Sequence, residues 1–123
     1  MEDKHLGVGF VQPADAEEFM EITIREKDGE ITSADFRCSD NEALIRCGKT
    51  LCAVLPEHPA ADLFQMNNNV IYYNIDPPLT RRELYFATMA VFAAKRAAAA
   101  WCIKNNVPVP AQDNGCTCIT NEG

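Results

Sequence analysis

Residues 19–55 constrain this chain more than any other stretch. Met20, Ile22 and Ile24 alternate with Glu21, Thr23 and Arg25, the two-residue period of a half-buried strand. Asp28-Gly29 follows, a pair suited to the tight turn of a hairpin. The chain then returns through Ile31, with Ala34, Phe36 and Cys38 on one face and Ser33, Asp35 and Arg37 on the other. Ser39, with Glu42 three residues later, has the form of a capping box, which predicts a helix starting near Asp40 or Asn41. Leu44, Cys47, Leu51 and Val54 then recur at helical spacing up to the stop at Pro56.

A second helix is announced by Pro77-Pro78, which cannot continue a preceding helix, and by Thr80 with Glu83, a second capping box. It is expected over residues 81–104. One stripe runs through Leu84, Ala87, Val91, Ala94, Ala98 and Trp101, and another through Tyr85, Met89 and Phe92. Alanines 97–100 favour the helix and permit close approach. Between the two helices, residues 59–66 read as a short helix with Leu63 and Phe64 inward, and residues 70–75 as either a strand or part of a helical connection. Residues 5–13 read as a loop or a short edge strand. Gly7-Val8-Gly9 has no strand before it and no clear helix after it, so it reads as a turn rather than a phosphate loop. The expected organisation is one domain over residues 1–106 and an extended tail over 107–123.

The bulk chemistry narrows the function. A length of 123 residues suits one core, and 47% hydrophobic residues suits a folded chain. The net charge of −7, without a basic patch, argues against nucleic acid or an anionic membrane as partner. The acidic start at Glu2-Asp3 is not followed by an apolar stretch, and the uncharged run over residues 84–94 is short for a bilayer. The expectation is a cytoplasmic chain whose six cysteines are reduced. No nucleophile elbow or phosphate loop is present, so no enzyme is predicted.

The order of elements and several motifs resemble the iron–sulfur cluster assembly scaffold family, that is, IscU and the N-terminal domain of NifU. The likeness runs over about residues 10–104. Phe19-Met20-Glu21-Ile22-Thr23-Ile24 is similar to the family's first core strand, and residues 29–37, with Ala34-Asp35-Phe36-Arg37, to its second. Gly48-Lys49-Thr50-Leu51 is similar to its Gly-Lys-Ser/Thr-Leu segment, and Met89-Ala90 and Lys95 fall in register with its terminal helix. The resemblance implies an α+β fold of SufE/NifU-like arrangement: a small antiparallel sheet with helices packed on one face and a long C-terminal helix. It implies iron or an iron–sulfur cluster as cargo, and a cysteine desulfurase or other assembly proteins as partners.

The family holds its cluster with three Cys, an Asp and a His, because cluster iron takes thiolate ligands. By the resemblance, the corresponding positions here are Ala16, Glu18, Asn41, Tyr85 and Phe86. A register moved by three residues would bring Cys38 near the second Cys position. Two functional readings stand: a scaffold-like protein that binds iron or a cluster or docks with the assembly machinery, and a relative that serves as an interaction module without metal. Cys116-Thr117-Cys118 offers two thiols for a soft metal or a dithiol, against a tail of no chemical role, and Cys38 is the weaker candidate ligand. Cys47 and Cys102 read as packing residues, Cys52 lies too far round the helix from Cys47 to share a metal with it on one face, and His5 and His58 read as surface residues.

Overall fold

The computed structural model describes residues 3–109. Strand β2 (Met20–Lys27) is central, with β1 (Leu6–Val11) and β3 (Glu30–Cys38) antiparallel on either side. Met20, Ile22 and Ile24 are fully buried, as their alternation predicts. Lys27 pairs with Glu30, and Asp28 and Gly29 close the hairpin between them, both at positive φ, as a type I′ turn requires.

One irregularity sits inside this hairpin. Arg25 faces Ser33, but Glu26 faces Ile31, so Thr32 is the extra residue of a bulge, and its hydroxyl donates to the Arg25 carbonyl at 3.1 Å. The extra residue changes the phase of alternation. Ile31 and, beyond it, Ala34, Phe36 and Cys38 therefore all meet the core although their numbers differ in parity.

Helix α1 (Glu42–Val54) packs over β3. Its cap corrects the sequence reading. Asn41, not Ser39, is the N-cap, and its side-chain oxygen accepts from the Leu44 N–H at 3.0 Å. Ser39 is still held by the sheet: its hydroxyl accepts from Phe19 N–H and its own N–H donates to the Phe19 carbonyl. Leu44, Cys47 and Leu51 are fully buried; Leu55 completes the stripe, and Val54 is only half-buried. Gly48 gives the Phe36 ring its seat, since a Cβ there would fall 2.5 Å from the ring.

A 3₁₀ helix, Ala60–Gln65, buries Leu63 and Phe64 as expected. Residues 70–75 take the helical alternative: α2 (Asn69–Tyr72) is a single turn that buries Ile71. The second capping box is present, with Thr80 N–H donating to Glu83 Oε1 at 2.8 Å. One 3₁₀ turn, Arg81–Glu83, leads into α3 (Leu84–Lys104). Leu84 and Tyr85, expected in the apolar stripes, are exposed, and the buried face begins at Ala87.

Helix α3 lies directly over β1 and β2. A Cβ on Gly7 would fall 2.2 Å from the Ala97 carbonyl oxygen, and one on Gly9 2.0 Å from that of Ala93. The Gly-x-Gly pair therefore belongs to a strand. It lets an alanine-faced helix reach the sheet backbone. By length and composition residues 81–104 are long and apolar enough to cross a membrane, but 56% of their most apolar 18-residue window is buried within the domain. The architecture is α+β, with a three-stranded antiparallel sheet, helices on one face and a long last helix. Residues 107–109 are exposed. The rest of the expected tail, with Cys116 and Cys118, lies outside the described residues.

Candidate functional site

Three segments meet at one end of the sheet. Val11, Met20 and Cys38 lie side by side in the strand register, so the β1–β2 loop and the β3–α1 junction share that end. The contacts of Gly7 and Gly9 with α3, and of Lys104 with the Leu6 carbonyl, show α3 running opposite to β1. The start of α3 therefore comes to the same end. This places Ala16, Glu18, Asn41, Tyr85 and Phe86 on neighbouring segments.

Their individual environments differ. Ala16 sits in a tight turn, its N–H donating to the Pro13 carbonyl and its own carbonyl accepting from the Gln12 side chain at 3.1 Å. Glu18 is half-buried. Asn41 is engaged as the α1 cap. Tyr85 is 49% exposed, its ring tilted against that of Phe86 at 5.9 Å, while Phe86 packs on the core. Arg46 from α1 joins this end by donating to the Pro77 carbonyl. Its Nε is buried without a partner. Glu83 responds to that charge: its carboxyl lies below the usual range through the Thr80 hydrogen bond first and the Arg46 guanidinium last. Glu83 was marked in the sequence only as part of a capping box, and Arg46 carries no motif that would have marked it. They reach the site only through the packing of α1 against the chain that enters α3.

The donors are wrong for a cluster. An alanine, a carboxylate, an amide and two aromatic rings supply no thiolate, and iron–sulfur ligation rests on thiolates. The nearby cysteines do not repair this. Burial pushes the Cys47 thiol up to about 11, with the Arg46 charge opposing and Glu83 and Cys38 adding to the rise. Cys38 is raised by burial and by Asp40. Farther away, Cys52 is pushed up to about 12 by burial and Asp35, and Cys102 is raised by burial. In each case burial works against the thiolate, which is the form that ligates iron. Among the described residues, no three His, Cys, Asp or Glu side chains gather where they would share a metal ion.

The histidines separate as well. His5 Nδ1 lies 2.8 Å from Glu26 Oε1. His58 is exposed beside an open cleft of about 340 Å³, lined by Val54, Leu55, Leu63, Met66 and Val70 at the far end of α1. No family model matches the chain, and no curated protein matches it in sequence.

Proposed function

We propose that this protein is a scaffold-like member of an iron–sulfur assembly system that works by docking, presenting the scaffold's end surface to a partner without building a cluster there. What supports this reading is a single juxtaposition: the fold gathers the five positions that the resemblance marks, and none of them carries a thiol. The partner class is a cysteine desulfurase or another assembly protein, met through exposed Tyr85 and the segments around it. An exposed aromatic beside buried neighbours is the kind of residue that carries binding energy in an interface.

The test is calorimetric titration of the purified chain into a cysteine desulfurase. Saturable binding is expected, unchanged by an iron chelator and weakened about tenfold or more by Tyr85→Ala. Absence of binding, or binding that a chelator abolishes, would contradict the docking role. Binding of iron or a cluster through Cys116 and Cys118, with Cys38 as a weaker candidate, is the other form of the same reading. The Cys-x-Cys spacing of the tail favours it.

A further inference from the structure

The outer edge of β1 has main-chain groups with no assigned role. In the β1–β2 ladder the Glu26 N–H donates to the His5 carbonyl at 2.9 Å, and Gly7, Gly9 and Val11 face Ile24, Ile22 and Met20. Bonded and non-bonded pairs alternate in an antiparallel ladder. The main-chain groups of Leu6, Val8 and Phe10 therefore point away from β2. Leu6 is already occupied, its N–H donating to the Asp3 carbonyl and its carbonyl accepting from Lys104 Nζ at 3.0 Å. The Phe10 carbonyl accepts from Arg96 Nη1 at 2.7 Å. The N–H and C=O of Val8 and the N–H of Phe10 have no partner among the described residues.

We propose that this edge accepts an extended, acidic segment of a partner protein as an added strand. Three observations select that occupant, and none depends on the iron–sulfur reading. The free groups of Val8 and Phe10 have the spacing at which an incoming strand bonds to an edge. The side chains of Val8 and Phe10 are 43% and 42% exposed, and Phe10 stacks on Phe19 at 5.6 Å, giving an apolar shelf for alternate residues of that strand. Arg96 and Lys104 flank the free groups, and neither has a carboxylate partner among the described residues. In a protein of net charge −7, these two cations make the edge locally attractive to carboxylates.

The same cations disfavour a second copy of this chain. Antiparallel pairing of two β1 edges about Val8 would set Arg96 of each copy against Lys104 of the other. Like charges brought together along a sheet edge disfavour such self-pairing, here supplied by α3 rather than by the strand itself. The edge rejects itself and retains the ability to take a strand of opposite charge.

The test uses the full chain labelled with nitrogen-15 and two capped synthetic probes. Each probe alternates valine and threonine, one with a glutamate at each end and one with a lysine at each end. The glutamate probe is expected to slow amide exchange at Val8 and Phe10 by about tenfold or more, and to bind roughly three- to tenfold more tightly than the lysine probe. Val8→Pro removes an outward N–H that the ladder does not use, and should abolish the effect. The double variant R96Q/K104Q should keep binding but lose the preference for glutamate, which reads the proposal independently of how well the proline variant folds. Unchanged exchange at Val8 and Phe10 would overturn the proposal. So would equal binding of both probes, or protection of these amides by protein concentration alone.

Discussion

Glu26 is the one buried charged residue of the described core. It falls on the apolar face of β2, where the alternation calls for a hydrophobic side chain. Its surroundings explain why it stays ionised. Burial pushes its carboxyl up, but the Gly29 N–H at 2.9 Å, the Trp101 indole and His5 together outweigh that and hold it below the ordinary value. Trp101 Nε1 is buried and makes no well-formed hydrogen bond among the described residues, so the Gly29 N–H and His5 are the firm partners of this carboxylate. A carboxyl depressed in the folded state adds stability that is present above its unfolded pKa and is lost as pH falls through the folded one. Glu26→Gln is therefore expected to cost about 1–2 kcal/mol at neutral pH and to flatten the acid limb of a urea-melt series. An unchanged acid limb would show that the hairpin does not draw on this charge. The cysteines give a second residue-scale prediction. With Cys47 near 11 and Cys52 near 12, neither should react with a maleimide at neutral pH until the protein is unfolded. Rapid native labelling of Cys47, read by mass spectrometry, would contradict its burial, and that of half-buried Cys52 would contradict its raised thiol.

The elements were legible where one signal dominated. Alternation and Asp28-Gly29 mark the central hairpin, and Thr80 with Glu83 marks the entry to α3. Strand β1 was harder to read because two of its six residues are glycine, and glycine carries no strand signal. Their reason lies in another element: the helix backbone above leaves no room for a Cβ. Gly9→Ala, with a Cβ 2.0 Å from the Ala93 carbonyl oxygen and 2.3 Å from Ala97 N, is expected to destabilise the fold by about 2–3 kcal/mol, measured as a lower urea midpoint. A neutral result would mean that α3 sits farther from the sheet. The α1 cap was misplaced for a similar reason. Ser39 and Asn41 are both good caps in sequence, and only the pairing of Ser39 with Phe19 decides between them. The bulge at Thr32 shows in the sequence only as the change of parity between Ile31 and Ala34, which alternation alone does not assign to a bulge.

At the scale of the molecule, the strands set which segments share an end, and α3 runs back so that its start joins them. That convergence followed from the order of elements. The chemistry around it did not, because Arg46 and the raised thiols acquire their character from tertiary neighbours, and Glu83, held low first by Thr80, meets Arg46 only through packing. The free edge of β1 was likewise hidden, since the parity of a ladder is fixed by pairing and not by composition. The proposed docking role requires that this end of the fold lack the thiolates to hold a cluster. Anaerobic reconstitution of the full-length Cys116→Ser/Cys118→Ser variant with iron and sulfide tests it most directly. The account predicts a colourless protein with no iron retained after desalting. A variant that keeps iron and sulfide and shows the visible absorption of a cluster would contradict it.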